Sequence, residues 1–367
     1  MKKLEEMIKR PANRRSFLKN GIAAAGAATV GAGLLGGGSS VLGREREDRG
    51  PDITRGDVAI LQFLAAAELI ESDLWQQYNE LGGVDAANSG YVAALSVLDG
   101  DMPQYIADNT DDEISHETFL NAYLASKGAN TVNLDEFRTL PSSQAAGAKQ
   151  IGRLTNLMQL TVDTSWWTRY RSVRNPDLGA TFPQAIPSLN VGQHPAIPRT
   201  DAELGDPNNI SNHVQAIANT AGFHFAFIEE GGSSLYPTLA QKVTNLEVLR
   251  ILLSIGPTET SHFQTWHDKA GNAPAVTDGT LVFPDFNSPA LSGEDLKKNL
   301  IMPEPCEFIS RKLPPCSIIR PTATQGGGAV ATINGFIQDG LFIGHKKEFL
   351  QLLLSLASEA DEAKREL

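Results

Sequence analysis

Two short stretches of this 367-residue chain set metal-ligating side chains one helical turn apart: Glu113-Ile114-Ser115-His116 and Glu259-Thr260-Ser261-His262. A helix turns about 100° and rises about 1.5 Å per residue, so a Glu and a His three apart leave the same face, roughly 4.5 Å apart along the axis. One ion can then be held by both. Each quartet follows a helical segment carrying a Glu without a His partner, Glu68 and Glu229, with Glu71 and Glu230 as acidic neighbours in reserve. Four carboxylates and two imidazoles, delivered one set per helix, are the donors of a two-metal centre inside a four-helix bundle. Oxygen and imidazole nitrogen suit two Fe or Mn ions rather than soft Cu(I). In such a centre Glu113 and Glu259 bridge or chelate between the ions, His116 and His262 each cap one, and Glu68 and Glu229 are terminal; no catalytic residue separate from the ligands is expected. Filled with two divalent ions the cluster is near neutral, whereas empty it is a cage of like charges that is costly to bury. Each quartet also has a purely structural use. Thr110 to Glu113 has capping-box spacing, and Glu259 follows Gly256-Pro257, where an acid suits a helix start.

The elements that must position these residues follow from apolar spacing. Val58, Leu61, Leu64, Leu69, Trp75 and Tyr78 recur at helical intervals between about Asp57 and Leu81, with Gly82-Gly83 as the stop. A second helix falls between Met102 and Lys127. It starts either at Asp101 and Pro103 or, shorter, at Thr110. Ser211 is an N-cap for a third, carrying Val214, Ile217, Phe225 and Glu229 and weakened at Gly231-Gly232. The fourth runs from Leu246 to Lys269, and Pro257 within it should force a kink or a restart. Between the second and third helices, the amphipathic pattern from Ala145 to Arg171 predicts an accessory helix on the outside of the bundle. Its Trp166-Trp167 pair is read as core rather than as a pocket wall. Residues 173 to 210, rich in Pro, Asn and Gly, read as ordered loop, residues 271 to 345 as loops with a small hairpin, and residues 346 to 367 as an amphipathic helix that docks on the bundle or mediates oligomerisation. The remaining histidines, His194, His213, His224, His267 and His345, lack ligand spacing and read as surface or hydrogen-bonded core residues.

Several of these segments resemble the ferritin-like domain proteins related to plant desiccation proteins. Gln62 to Trp75 is similar to the first helix of that family, with Glu68 and Glu71 on its two acidic positions. Glu113-Ile-Ser-His116 resembles its Glu-Ile-Ala-His, and Glu259-Thr-Ser-His262 its Glu-Ala-Arg-His. Glu229-Glu-Gly-Gly-Ser-Ser-Leu-Tyr236 is similar to its Glu-Asp-Thr-Gly-x-x-x-Tyr, which puts the ligand at Glu229 rather than Glu230. The resemblance implies an all-α fold: a ferritin-like four-helix bundle over residues 56 to 270, a long crossover with an insertion at 129 to 210, and parallel second and third helices. Of its ligand positions, Glu259 is the least secured, because of the adjacent proline.

At the N-terminus, Asn13-Arg14-Arg15-Ser16-Phe17-Leu18-Lys19 and the Gly- and Ala-rich run to Gly43 have the form of a twin-arginine export signal over residues 1 to 43, with a linker at 44 to 55. The twin-arginine translocon is thus an expected partner, and the periplasm or exterior the expected location. That route passes folded proteins, which suits metal loading before export. Residues 1 to 43 hold seven basic and two acidic residues, so the net charge of −12 becomes −17 for the remainder, which repels nucleic acid. Cys306 and Cys316, the only cysteines, are spaced as a loop-closing disulfide in an exported chain. The expected chemistry is that of a di-metal oxidoreductase oxidising Fe(II) or acting on O2 or peroxide. The alternative is a non-catalytic stress-protective or interaction protein on the same scaffold.

Overall fold

The computed structural model describes residues 53–169, 183–286 and 328–366, with short pieces at 303–304, 310, 312–314 and 316–317. The expected export signal and Cys306 lie outside these residues. Four long helices dominate, as the sequence pattern requires: α1 (Arg55–Gly82), α3 (Met102–Ser126), α4 (Asn212–Ala240) and α5 (Leu246–Ala270), with a shorter α2 (Gly90–Leu98) between the first two. Thr54 and Asp57 form a capping box at the start of α1. Asp57 has a second task, accepting from the backbone N–H groups of Thr244 at 2.9 Å and Asn245 at 3.2 Å, and so ties the start of α1 to the α4–α5 turn.

Contacts at matched positions give the directions. Glu68 meets His116 and Gly82 meets Ile106, so α1 and α3 are antiparallel. Tyr78 meets His224 and Glu68 meets Tyr236, so α1 and α4 are antiparallel as well. Consequently α3 and α4 run the same way, and no tight turn can join them; residues 127–211 form the crossover. Asn109 to Trp266 and Asp112 to His262 close the bundle between α3 and α5.

The α3 helix starts at Met102 with Pro103 in its first turn, so Thr110 is no cap; its hydroxyl donates to the carbonyls of Ile106 and Trp75. Pro257 neither ends nor restarts α5, which is helical from Leu246 to Ala270. Proline removes one backbone donor, and the carbonyl it would have served belongs to Leu253, whose side chain lies on the exposed face. The adjacent Gly256 explains why the pair is here: a Cβ on it would stand 2.7 Å from Cβ of Tyr236, so only glycine lets α5 approach α4 this closely.

The accessory helix expected from Ala145 to Arg171 is largely not formed. Among the described residues only Trp166–Arg169 is helical, and the rest is irregular chain. Its apolar residues Leu154, Leu157, Leu160, Val162 and Trp166 are buried as the pattern suggested, but its backbone is satisfied from elsewhere. Asp73 of α1 accepts from the N–H groups of Leu154 and Thr155, both at 3.0 Å, and from the Thr155 hydroxyl at 2.7 Å. Thr161 N–H reaches the carbonyl of Asp339, and Leu140 pairs with Arg153 in an isolated bridge. Gly152 sits where a Cβ would overlap the Arg138 carbonyl. Trp166 and Trp167 are core, packed on Phe223 and His267. Residues 183–210 are mainly loop, with single turns at Pro187–Asn190 and Asp201–Leu204.

Beyond α5 lie the expected hairpin, β1 (Val276–Asp278) against β2 (Leu281–Phe283), and a second short pairing, β3 (Pro303–Glu304) with β4 (Cys316–Ser317). Helix α6 (Ala329–Gln338) stands where loop was expected. Its first two N–H groups, on Ala329 and Val330, are capped at 3.0 and 2.9 Å by the carboxylate of Asp361 in the final helix α7 (Lys347–Glu362). A cap supplied from 32 residues away leaves no local signature. Helix α7 packs on α1, which is therefore buried nearly all round. No helix among the described residues is long and apolar enough to cross a membrane.

Candidate metal centre

The six residues singled out by spacing meet at one point in the middle of the bundle. Glu68 comes from α1, Glu113 and His116 from α3, Glu229 from α4, and Glu259 and His262 from α5. Their ligand atoms form two overlapping groups, Glu68, Glu113, His116 and Glu259 in one and Glu113, Glu229, Glu259 and His262 in the other, with the atoms of each group within 4.8 Å of one another. Glu113 and Glu259 belong to both. Nδ1 of His116 lies 3.0 Å from Glu113 Oε2, 3.2 Å from Glu259 Oε1 and 3.5 Å from Glu68 Oε2. On the other side, Nδ1 of His262 lies 3.1 Å from Glu113 Oε1 and 3.3 Å from Glu229 Oε2. The two reserve acids fall differently. Neither is in a donor group, but Glu71 is buried beside the cluster and feels the charge of all four Glu, while Glu230 is fully buried on α4 next to Glu229.

Close approach here is not the same as hydrogen bonding. Glu68 Oε2, Glu229 Oε2, both oxygens of Glu259 and Nδ1 of His262 are buried without a hydrogen bond of acceptable geometry, although some lie near 3 Å from one another. Buried polar atoms ordinarily find partners, so a converging set of unsatisfied donor atoms calls for a group between them. The donor set is compatible with metal ions: all of it is carboxylate oxygen or imidazole nitrogen, and Glu113 and Glu259 belong to both groups.

The electrostatics point the same way. Burial pushes Glu68 and Glu259 up to about 8, against the pull of His116. Glu71 is driven well above the carboxylate range by burial and then by repulsion from Glu113 and its neighbours. Burial also acts to raise Glu113, but His116 and His262 together outweigh it and hold that carboxyl at about 2. Both imidazoles are raised: burial opposes their charge, and the surrounding carboxylates, Glu68 for His116 and Glu229 for His262, overcome it. In the absence of ions, protons take their place.

Asn109 and Asp112, not picked out by sequence reasoning, and Tyr236, met there only as the end of the third-helix motif, fix these ligands. Asn109 donates through Nδ2 to Glu113 at 2.8 Å and to Glu229 at 3.0 Å, while its oxygen accepts from Trp266 Nε1 at 2.7 Å. Asp112 lies 3.2 Å from Nε2 of His262, which favours the tautomer with its lone pair on Nδ1, facing inward. The Tyr236 hydroxyl donates to Glu68. Helical spacing held a signal for all three, since Asn109 is one turn before Glu113, Asp112 one turn before His116 and Tyr236 two turns after Glu229. Gly232, read from the sequence as a weak point of α4, leaves room for a ligand: a Cβ there would stand 2.6 Å from Oε2 of Glu259. The four core carboxylates are almost wholly shielded, whereas the side chains of His116 and His262 keep 10% and 12% of their exposure, so the cluster meets solvent along the α3–α5 edge.

The ferritin-like domain family matches residues 56–271 of this chain, the span that contains the whole bundle and all six residues. No curated protein and no solved structure gave a match. With well over half of its length matched to that family and the bundle assembled around a buried carboxylate and histidine cluster, the chain belongs to the ferritin-like domain family.

Proposed function

We propose that this chain holds a dinuclear Fe or Mn centre and acts on dioxygen or peroxide, or oxidises Fe(II), as a small oxidoreductase. The observation that carries this reading is the sharing of Glu113 and Glu259 between two adjoining donor groups, in which Oε2 of Glu68, Oε2 of Glu229 and both oxygens of Glu259 are buried without a hydrogen-bond partner. In it, Glu68, His116, Glu113 and Glu259 hold one ion, and Glu229, His262 and the same two shared carboxylates hold the other. Such a pair of ions would supply Lewis acidity and one-electron redox steps. The protein's own part is to orient and to manage protons. Asn109 keeps Glu113 and Glu229 in register, Asp112 turns the His262 lone pair inward, and Tyr236 fixes Glu68. Loading must displace the protons that the raised imidazoles and carboxyls carry, so binding releases protons and strengthens as pH rises.

Elemental analysis of protein from its native host tests the reading. About two ions per chain, lost in Glu113→Gln, are expected; a metal-free protein with no affinity for Fe or Mn would sink it. Two ions without consumption of peroxide, or of Fe(II) and dioxygen, would favour the stress-protective role instead. The Arg14-Arg15 segment supports export by the twin-arginine route, with loading before passage and a Cys306–Cys316 disulfide formed after it.

A further inference from the structure

A second buried polar chain stands apart from the cluster. The hydroxyl of Tyr78 on α1 lies 2.7 Å from Nδ1 of His224 on α4, and Nε2 of His224 lies 2.8 Å from Oδ2 of Asp339, just past α6. All three are shut off from solvent. One tautomer satisfies both contacts: the phenol donates to Nδ1 and Nε2–H donates to the carboxylate. Glu68 and Glu71 are on the same helix as Tyr78, and aromatic rings connect the two regions. Trp266, whose Nε1 donates to the Asn109 that grips Glu113 and Glu229, stacks on Trp75 at 5.4 Å between centroids and 24° between planes. Trp75 lies 5.7 Å from the Tyr78 ring, and Phe225 packs against all three rings at 4.5 to 4.9 Å.

These rings differ in what can happen to their protons. Nε1 of Trp75 is buried with no acceptor, and Nε1 of Trp266 faces an amide oxygen, which is a very weak base. An electron hole on either indole cannot settle by deprotonation. Tyr78 alone in this stack has an imidazole in line to take its proton and a carboxylate behind it to hold the resulting charge. We propose that Tyr78 is a redox-active side chain, the place where a one-electron hole arriving from the Glu113 and Glu229 end of the stack comes to rest, with His224 as its proton acceptor and Asp339 as the counter-charge.

In that step Tyr78 gives up one electron, which passes by way of Trp75 and Trp266, and its phenolic proton, which moves to Nδ1 of His224. The O–H bond breaks, an N–H bond forms, and an imidazolium remains paired with Asp339. The oxidant is a peroxide, whose O–O bond opens to two waters on taking up two electrons and two protons from solution. Tyr78 would supply one electron, and an Fe(II) or Mn(II) ion held by Glu113, Glu229 and their neighbours would supply the other. The source of the hole rests on the dinuclear reading, while the path and its terminus rest only on the rings and the Tyr78–His224–Asp339 chain.

The test therefore uses full-length, chelator-treated protein with no metal in it. Ultraviolet photoionisation of its tryptophans at cryogenic temperature, annealing, and electron paramagnetic resonance should give a neutral tyrosyl radical. In protein carrying 15N-histidine that radical should couple to one imidazole nitrogen, as required for Tyr78 and for no other tyrosine whose hydroxyl bonds are described, since Tyr91 donates to a carbonyl and Tyr123 and Tyr236 to carboxylates. Tyr78→Phe keeps the ring in place and should leave the hole on tryptophan; His224→Gln should do the same. A tryptophan radical alone in the wild type, a tyrosyl signal without nitrogen coupling, or an unchanged signal in Tyr78→Phe overturns the proposal. No ion takes part, so such a failure leaves the metal stoichiometry untouched, and a failure to bind metal would not move the radical.

Discussion

Gly232→Ala separates the stability of the bundle from the integrity of its centre, because the two should move in opposite directions. Gly232 lies inside α4, and replacing a helix-interior glycine by alanine ordinarily stabilises by about 0.5–1 kcal/mol. Here the new Cβ would stand 2.6 Å from Oε2 of Glu259 and 3.2 Å from its Cδ, where ordinary contact begins at 3.4 Å. The oxygen must retreat by about 0.8 Å, the difference between those contact distances. In metal-free protein the retreat is inexpensive, since both Glu259 oxygens lack hydrogen bonds to lose and the carboxylate is the far end of a flexible side chain. For a ligand, whose distance to the ion is held within about 0.2 Å, it is disabling. The expected result is a metal-free melting temperature equal to or above wild type, with affinity for Fe(II) or Mn(II) reduced about 10- to 100-fold, a loss of about 1.4–2.7 kcal/mol of binding. Differential scanning calorimetry and isothermal titration calorimetry, run on the same preparations, measure the two quantities. Two ions bound by Gly232→Ala with wild-type affinity would refute the placement of Glu259 as a shared ligand.

Three further outcomes rest on the same geometry. Glu68 and Glu259, raised from 4.5 to about 8, keep protons in the folded chain that the unfolded chain has already lost, so metal-free protein should lose stability as pH climbs from about 5 to 8, by about 1.4 kcal/mol per group for every pH unit crossed. The raised imidazoles extend the decline above their ordinary range, and Glu113, lowered to about 2, opposes it only below pH 4.5. Metal-loaded protein should melt at a nearly constant temperature across that window, and a flat profile for the metal-free form would contradict the proton assignment. Asn109→Ala removes two hydrogen bonds to carboxylates, each worth about 1.5–3 kcal/mol in such settings, and should weaken metal binding about tenfold or more while changing the tryptophan fluorescence through Trp266; titration followed by emission tests both. Gly256→Ala puts a methyl 2.7 Å from Cβ of Tyr236, close to the backbone of α4, and should cost about 1–3 kcal/mol in denaturant unfolding, unlike the tolerated Gly232→Ala.

The six cluster residues were legible because a Glu and a His three apart can serve one ion only on a helix, and four such helices admit few arrangements. Pro257 was misleading for a related reason. The rule that proline breaks a helix counts the lost hydrogen bond, but not the solvent that can serve the carbonyl left at exposed Leu253, nor the tight seat against Tyr236 that Gly256 provides. The segment from Ala145 to Arg171 failed differently. Its apolar residues were rightly read as buried, yet periodicity says nothing of a buried carboxylate such as Asp73, which offers the loop backbone acceptors as good as its own helix would. Helix α6 was missed because its cap, Asp361, arrives from another element. Asn109, Asp112 and Tyr236 carried helical spacing to the cluster, but their residue types have many other uses, and only their convergence distinguishes them.

Asp339 has one more consequence. The family's own boundary falls at residue 271, and cutting there looks natural from the sequence alone. Yet Asp339 stands 68 positions beyond that boundary and is the partner of a histidine at the heart of the bundle, while α7, with Phe349 and Leu353 buried, packs on α1. A fragment trimmed to the shared domain would uncover the side of α1 that α7 packs on and take away the carboxylate partner of His224. The four-helix core is completed here by an appendix that lies beyond its own span.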